Sequence, residues 1–376
     1  MRNYQKIIVT ILCVLALGII GLTAYGINFY SEAENTFNNI SQPVERTTAK
    51  RETQVSIEDR DAFSILLLGL DTGGKGRTEQ GRSDTIMVVT VNPKKKQSTI
   101  VSLDRDIYTQ IIGYGTMDKL NHAYAFGGVE MSMDTVENLL DIPIDHYATI
   151  NFQGLSDLVD ALGGLEIDNK YHFELDGVEL TPGKYHLDGE QVLAYSRFRK
   201  YDPYTEMGDP EGDVGRQKRQ REVVTKIVNK ILSLDGVNNY RDILKAVEKN
   251  TTTDLKWTDM LDIATNYLPA FDSIKQDQLI GEDQMINDIY YQILGMNDLL
   301  EKQNLLKEQL DLPQNDELST GDKFTQGYVP YQFYDDSDNT SNGDYYEDNA
   351  SDGNYSNDGY SGNQEYEDDS LSDDGY

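Results

Sequence analysis

Apolar residues along this chain occur in segments of two kinds, and the two kinds alternate. Short runs of β-branched and aliphatic residues, bounded by turn-forming residues, predict β-strands at Phe63–Leu70, Thr85–Val91, Gln97–Ser102 and His146–Ile150. Apolar residues three and four positions apart predict helices at Gly128–Leu140, Phe152–Leu162, Gly189–Tyr195 and about 213–234, and two or three more between Tyr240 and Leu312. This order predicts one α/β domain over residues 61–312, in which helices cover a single mixed β-sheet.

The longest apolar segment, Ile7–Ile27, contains 21 residues and no charged side chain. As a helix it would be about 30 Å long, which matches the hydrocarbon core of a bilayer. Arg2 and Lys6 precede it, and the next basic residue is Arg46. Because positive charge stays on the cytoplasmic side, we predict a single-pass type II membrane protein with residues 1–6 inside, a signal-anchor helix at 7–27 and the rest outside. A cleaved signal peptide and a buried core helix are the alternatives.

The segments that flank the predicted domain are polar. Residues 28–60 show little periodicity, which predicts an extracellular linker. Residues 313–376 are rich in Tyr, Asp, Ser, Asn and Gly and contain almost no aliphatic side chains. Such a segment cannot bury enough apolar surface to offset its ordering entropy, so we predict a disordered acidic tail. A tail that binds cationic wall components or metal ions is the alternative.

Charge and cysteine content exclude two classes of function. The formal net charge is -32, which opposes the phosphate contacts on which nucleic-acid binders depend. The single cysteine, Cys13, lies in the N-terminal apolar segment. One cysteine forms neither an intrachain disulfide nor a cysteine-rich metal site.

The segment Gly69–Gly76, with the sequence GLDTGGKG, resembles a nucleotide-binding P-loop except at its last position. A P-loop continues directly into a helix, whereas here a predicted strand follows at Thr85–Val91. We therefore predict a glycine-rich turn between two strands, with Asp71 directly after the first strand.

Four short segments place Asp and Arg at predicted strand and helix ends. They contain Asp71; Arg82 and Asp84; Arg105 and Asp106; and Arg197, Arg199, Asp213, Arg216 and Gln220. If residues 197–199 are extended, Arg197 and Arg199 lie on the same side of the chain and repel each other unless an anion lies between them. Several arginines for a phosphate, together with carboxylates for a hard cation, are typical of phosphoryl transfer with Mg²⁺. Local surface ion pairs are the alternative for each segment.

The long helix near residue 213 has an apolar stripe that predicts which side chains face inward. Asp213, Arg216 and Gln220 lie on the same stripe as Val223, Ile227 and Ile231. An inward arginine needs a partner, and a salt bridge between Arg216 and Asp213 is one possibility. The neighbouring Lys218, Arg219 and Arg221 lie off this stripe, so we expect a solvated face there.

Seven motifs resemble the LytR-CpsA-Psr family of cell-wall ligases. They are LLLGLD, GRSDTIMVVTVNP, SLDRD, KLNHAYAFGG, INFQGLSDLVDALGG, LDGEQVLAYSRFR and GDVGRQKRQ. They occur in family order and cover about residues 63–225. The segment between Arg199 and Asp213 is longer than is usual in the family, and we expect a loop at the rim of the site that affects the choice of acceptor or polymer.

The resemblance implies an α-β-α fold and a reaction. Members move a glycopolymer, such as teichoic acid or capsular polysaccharide, from a polyprenyl-pyrophosphate lipid to peptidoglycan, and a phosphodiester forms. By position, the metal ligands for Mg²⁺, or Mn²⁺, are Asp71 and Asp84. The pyrophosphate-binding residues are Arg82, Arg105, Lys119, Asn121, Arg197, Arg199, Arg216 and Gln220. The catalytic residues are Arg105, Asp106 and Asp213. Asp106 is at a position suited to activating the attacking hydroxyl, and Asp213 orients the arginines.

Three other functions are compatible with the same residues. The chain could regulate envelope gene expression indirectly, it could hydrolyse the pyrophosphate lipid with water, or it could bind the wall without catalysis. The implied partners are the lipid-linked glycan, peptidoglycan and membrane lipid, and no nucleic acid is expected.

Overall fold

The structure is a computed structural model, and it describes residues 26–46, 50–51, 55–72, 81–233 and 239–318. The predicted membrane helix at 7–27, apart from its last two residues, lies outside this part of the chain. Residues 73–76 of the predicted glycine-rich turn, which include Lys75, and residues 319–376 of the predicted tail also lie outside it. Among the described residues, none of the helices is long and apolar enough to cross a membrane.

Sixteen strands occur in the described part of the chain. They are β1 Phe63–Leu70, β2 Ser83–Asn92, β3 Gln97–Leu103, β4 Tyr108–Ile111, β5 Thr116–Lys119, β6 His146–Asn151, β7 Leu165–Asn169, β8 Phe173–Leu175, β9 Val178–Leu180, β10 Gly183–Leu187, β11 Tyr201–Asp202, β12 Met207–Gly208, β13 Thr251–Thr253, β14 Ile274–Leu279, β15 Glu282–Ile286 and β16 Ile289–Ile293.

The helices of the described segments alternate with these strands. They are α1 at residues 26–40, α2 His122–Leu140, α3 Phe152–Ala161, α4 Gly189–Arg197, α5 Gly212–Ile231, α6 Tyr240–Asn250, α7 Trp257–Asn266 and α8 Met296–Gln309, with a 3-10 turn at Leu268–Phe271.

The central sheet is mixed, as the sequence predicts. Its six strands are ordered β13-β6-β1-β2-β3-β14. Strand β1 pairs antiparallel with β2 and parallel with β6, and β3 pairs antiparallel with β2 and parallel with β14. The remaining strands form two-stranded pairs around this sheet. The resulting fold is α/β.

Two hydrophobic clusters account for most of the packing around the sheet. The first joins Leu66, Leu68 and Val101 of the sheet to Leu139 of α2 and Leu306 of α8. The second packs α3, α4, α5 and α6 against β7 to β10. The helices thus lie in layers on the sheet, because each apolar stripe requires a partner surface.

Local sequence signals place several elements correctly. The bounds of β1 are the predicted ones, and Asp188 caps α4 through a capping box with Gln191. Helix α2 begins six residues before the predicted Gly128 and kinks at Gly127 and Gly128, both of which are non-helical. Between Tyr240 and Leu312 the sequence predicts helices only, whereas four strands, β13 to β16, also occur there.

Part of the predicted linker at 28–60 is a packed helix, so that expectation is wrong for the described residues of this segment. Phe29 of α1 packs edge-on against Tyr240, with ring centroids 4.6 Å apart, and Ala33 and Ile40 are buried. The spacing of these residues follows the helical period. Beyond the helix, the Gln42 amide donates to the Thr253 carbonyl over 2.7 Å.

Candidate functional site

The site lies at one edge of the central sheet, where three strand ends meet. Because β2 is antiparallel to both neighbours, its first residues lie beside the last residues of β1 and β3. The register shifts between Gly69 and Leu70, which leaves Asp84 in a β-bulge. Gly69 permits this close pairing, since a Cβ there would lie 2.8 Å from the Thr85 Cβ. Asp71 and Asp84 therefore reach the same edge as residues 104–106.

Arg105 and its carboxylate partners form the centre of the site. The Arg105 Nη1 lies 2.6 Å from the Asp84 Oδ1, and its Nε lies 3.5 Å from the Asp106 Oδ2. On the other side of Asp106, the Lys119 Nζ lies 2.8 Å from the Oδ1. The structure thus brings four predicted residues together in one continuous row of charged side chains: Asp84, Arg105, Asp106 and Lys119.

The first turns of α5 add a second arginine to this site. The Arg216 Nη2 lies 2.9 Å from the Asp213 Oδ1, and the Arg199 Nη1 lies 3.6 Å from the same oxygen. Burial lowers the pKa of Arg216, Asp213 opposes this shift, and the charges of Arg105 and Arg199 lower it further. An anion bound beside Arg216 would relieve the repulsion that the charges of Arg105 and Arg199 exert on it.

Asp104 belongs to the site, although the sequence did not single it out. It is buried; its Oδ1 accepts a hydrogen bond from the Asp106 amide, and its Oδ2 accepts one from the Gln217 Nε2, each over 2.8 Å. Burial raises its pKa to about 6, and the charges of Asp213 and Asp106 add to the shift. Its position directly after β3, in which every residue from Ser98 to Leu103 is buried, is the sequence-adjacent signal that could have indicated this burial.

Other predicted residues have different neighbours. Arg197 is the last residue of α4 and so is not part of an extended 197–199 segment. It pairs with Asp176, and its guanidinium lies 4.6 Å from the Phe152 ring centroid. The Gln220 Nε2 donates to the Ser196 carbonyl over 3.3 Å. These residues support the end of α4 rather than contacting Arg105 or Arg216 directly.

Backbone contacts position the remaining predicted residues. The Arg82 amide donates to the Asp71 Oδ1 over 2.8 Å, while the Arg82 side chain is exposed. The Asn121 amide donates to the Arg105 carbonyl over 3.1 Å. The Asn121 side chain is buried, and its Oδ1 has no hydrogen-bond partner among the described residues.

The prediction of a solvated face at Lys218, Arg219 and Arg221 is wrong for both arginines. Lys218 is exposed, whereas Arg219 and Arg221 are buried. Arg219 pairs with Asp209, and Arg221 donates to Gln278 of β14 over 2.8 Å. Burial lowers the pKa of Arg221 to about 10.

The physical reason is that α5 packs against both the sheet and α4, so that more than one of its stripes is covered. Ile231, expected to face inward, is exposed at the end of the helix. The segment between Arg199 and α5 forms the β11–β12 hairpin with an exposed tip at Tyr204, as expected for a rim loop. Asp209 of this segment is buried and pairs with Arg219 of α5.

The candidate ligands for a hard cation at this site are the two carboxylates of Asp71 and Asp84. In the part of the chain that the structure describes, no group of three or more His, Cys, Asp or Glu side chains is arranged to hold a metal ion. Asp71 and Asp84 lie at the ends of adjacent strands. Two carboxylates fit Mg²⁺, which usually binds one or two protein carboxylates and completes its shell with water and substrate phosphate.

The mixed α/β fold thus gathers arginines and carboxylates at the ends of adjacent strands of its central sheet. The LytR_cpsA_psr family model matches residues 27–308, and this chain belongs to that family. A relative from Enterococcus faecalis, named polyisoprenyl-teichoic acid–peptidoglycan teichoic acid transferase TagU, is 49% identical over 310 residues, which are 82% of this chain and 98% of the relative.

Solved structures show the same fold. A crystal structure from Enterococcus faecalis, described as a transcriptional regulator, is 53% identical with a TM-score of 0.62, and the match covers 70% of this chain and 92% of that chain. A structure described as TagT bound to LI-WTA is 31% identical with a TM-score of 0.59, and the match covers 73% of this chain and all, 100%, of that chain.

Proposed function

We propose that this chain is a transferase that moves a teichoic acid from a polyisoprenyl-pyrophosphate carrier to peptidoglycan. The TagU relative is named for transfer of polyisoprenyl-linked teichoic acid to peptidoglycan, and a similar structure is described as bound to LI-WTA. The observation that carries the proposal is the cluster of Arg105, Arg199 and Arg216 with their carboxylate partners, in which the charges of Arg105 and Arg199 act repulsively on the buried Arg216. A pyrophosphate between them would replace this repulsion by charge-assisted hydrogen bonds.

The reaction is a substitution at phosphorus. An acceptor hydroxyl oxygen attacks the phosphorus that carries the glycan, and the bond from this phosphorus to the bridging oxygen breaks. Polyisoprenyl phosphate leaves with that oxygen, and a phosphodiester to peptidoglycan forms. In this proposal Asp106 takes the hydroxyl proton, and Lys119 and Arg105 hold its carboxylate in position. Arg105 and Arg216 stabilise the charge that develops on the phosphoryl oxygens.

Asp71 and Asp84 would hold Mg²⁺, or Mn²⁺, in this proposal. The ion would supply charge neutralisation for the pyrophosphate. The Arg105 Nη1 already contacts the Asp84 Oδ1, so the arginine and the proposed cation would share this carboxylate. The Arg82 amide fixes the Asp71 carboxylate from the other side.

A lipid-linked donor also fits the location predicted from the N-terminal sequence. We propose that residues 7–27 anchor the chain in the cell membrane with its N-terminus inside, and that the domain acts on the outer face of the membrane. Direct regulation through nucleic acid is opposed by the net charge of -32.

The test is an assay of the full chain in vesicles with Mg²⁺, a synthetic lipid-linked glycan and peptidoglycan oligomers. Both products, glycan joined to peptidoglycan and released lipid phosphate, are measured for the wild type, for Arg105→Ala and for Lys94→Ala. Lys94 is an exposed cation on the β2–β3 turn, at the opposite end of β2 from Asp84. If the wild type and Lys94→Ala join glycan to peptidoglycan and Arg105→Ala does not, the transferase proposal is supported. Lipid phosphate released with free glycan would instead identify a hydrolase.

A further inference from the structure

A hairpin formed by β15 and β16 adjoins the proposed base, although no family motif quoted above includes it. The Gln292 amide donates to the Asp106 carbonyl over 2.9 Å, and Ile107 and Gln292 form a parallel bridge. Gln292 is buried, and its Oε1 accepts a hydrogen bond from the Gly281 amide. The hairpin is therefore held directly against the residue that is placed to receive the acceptor proton.

One face of this hairpin combines an exposed ring with fixed polar groups. Tyr290 pairs across the strands with Met285, and their side chains are 36% and 64% exposed. The Tyr290 hydroxyl donates to the Asp283 Oδ1 over 2.8 Å and accepts from the Gln292 Nε2 over 2.6 Å. Burial of the hydroxyl end raises the pKa of Tyr290 to about 12, so the phenol stays protonated at neutral pH.

Lys119 connects this face to the reacting centre. Its Nζ lies 2.8 Å from the Asp106 Oδ1 and 5.7 Å from the Tyr290 ring centroid. A ligand that rests on the Tyr290 ring is thus one side chain away from the proposed base. On the opposite face of the same strand, Tyr291 packs edge-on against Tyr108 with ring centroids 4.8 Å apart, which anchors the hairpin.

The charge of the hairpin selects against a polyanion. Residues 282–293 include three acidic side chains, Glu282, Asp283 and Asp288, and no Lys or Arg. The arginines of the site, in contrast, follow β3 (Arg105), follow α4 (Arg199) and lie on α5 (Arg216). An anionic donor is attracted to the arginine side and repelled by the hairpin side, whereas an uncharged sugar ring is tolerated there.

We propose that the exposed face of the β15–β16 hairpin, centred on Tyr290 and Met285, is the binding subsite for the acceptor saccharide. The ligand is a sugar unit of a peptidoglycan strand, whose less polar ring face stacks on Tyr290 and whose hydroxyl or amide groups hydrogen-bond with Asp283. Tyrosine suits this role because it is a rigid side chain with an apolar face and a polar tip. The proposal rests on the proposed transferase function and adds the place where its acceptor binds.

The test compares variants of the full chain by their kinetics with each substrate separately. Tyr290→Ala is expected to raise the KM for the peptidoglycan oligomer about tenfold while the KM for the lipid-linked donor stays unchanged. Tyr290→Phe, which keeps the ring, is expected to remain within about threefold of the wild type. The matched control is Tyr114→Ala, because Tyr114 is an exposed aromatic residue that stacks on Phe126 away from the hairpin. It is expected to behave as the wild type.

Met285→Ala provides a variant with little risk to folding, since this side chain is largely exposed. A rise in acceptor KM in Met285→Ala, smaller than in Tyr290→Ala, is the expected result. An unchanged acceptor KM in both variants, or an equal rise in the donor KM, would overturn the subsite.

Direct binding separates the failure of this subsite from the failure of the transferase function. Titration of an uncharged tetrasaccharide of β-1,4-linked N-acetylglucosamine, one of the two sugars of a peptidoglycan strand, into the wild-type chain is expected to show saturable binding that Tyr290→Ala loses. If neither the wild type nor any variant transfers glycan, but the wild type binds the tetrasaccharide and Tyr290→Ala does not, the saccharide site is supported and the transferase proposal fails. If the wild type transfers glycan and Tyr290→Ala binds the tetrasaccharide as well as the wild type does, the proposed saccharide site is wrong. The transferase proposal is then still supported.

Discussion

Arg219 and Asp209 form an ion pair in which both side chains are removed from solvent, with 4% and 0% of their surfaces exposed. The Arg219 Nε also donates to the Tyr195 carbonyl over 3.0 Å, and its guanidinium lies 3.6 Å from the Phe198 ring centroid. A single buried cation therefore joins the loop before α5 to the end of α4. Arg216 lies one turn earlier on the same helix, so this pair also fixes the direction from which Arg216 enters the site.

Removal of this buried cation should strongly destabilise the fold. Arg219→Met leaves the Asp209 carboxylate buried without its partner, which costs about 3–5 kcal/mol of unfolding free energy. Urea denaturation followed by circular dichroism measures the change. Lys218→Met is the control, because Lys218 pairs with Glu211 at the surface and should change stability by less than about 1 kcal/mol. Equal effects of the two substitutions would contradict a structural role for the buried pair.

The raised pKa of Asp104 predicts how stability depends on pH. Its pKa rises from 3.8 to about 6, so folding favours the protonated carboxyl. This contribution is fully present below pH 3.8 and is lost as the pH rises through about 6. Asp104→Asn removes the titrating group, and its unfolding free energy relative to the wild type should increase by about 2–3 kcal/mol between pH 4 and pH 7.5.

Denaturation curves at several pH values measure this difference. Asp242→Asn, at an exposed position on α6, is the control and should show a constant difference from the wild type. A constant difference for Asp104→Asn as well would mean that Asp104 does not titrate in this range.

Arg105 should require the geometry of a guanidinium and not only its charge. Arg105→Lys keeps the positive charge, but an ammonium group cannot present parallel donors to Asp84 and to a phosphate. We expect kcat/KM for the lipid-linked donor to fall by about 10²-fold. Steady-state assays of product formation measure this, with Arg241→Lys as the control, since Arg241 pairs with Glu32 on the surface. Full activity of Arg105→Lys would show that charge alone is sufficient.

Removal of divalent cations should abolish transfer if Asp71 and Asp84 bind one. We expect EDTA to stop product formation and either Mg²⁺ or Mn²⁺ to restore it, since both prefer oxygen ligands. Asp71→Asn should raise the Mg²⁺ concentration needed for half-maximal activity by about tenfold, because one anionic ligand is lost. Asp272→Asn is the control, because Asp272 is exposed, and it should leave this Mg²⁺ concentration unchanged. Undiminished transfer in EDTA would exclude the metal proposal.

Helix α5 shows how far a sequence pattern predicts a site. The helical period correctly placed Arg216 and Val223 in the interior. The same period assigned Arg219 and Arg221 to solvent, and both are buried. A single amphipathic stripe predicts one covered face, whereas α5 is covered by the sheet and by α4 together. Which side chains this second contact buries depends on elements far away in the sequence.

The sequence alone determined strand β1, through its continuous apolar run, and helix α4, through its Asp188 cap. Both signals come from residues that are neighbours in the chain. The candidate residues Arg105, Asp106 and Arg216 could likewise be named from their motifs. Tertiary structure decided that polar β14 joins the sheet beside β3, that Asp104 is buried between Asp106 and Gln217, and that the β15–β16 hairpin adjoins the site. Strand pairing and the burial of charge are set by contacts between residues distant in the chain, and only the folded chain brings those residues together.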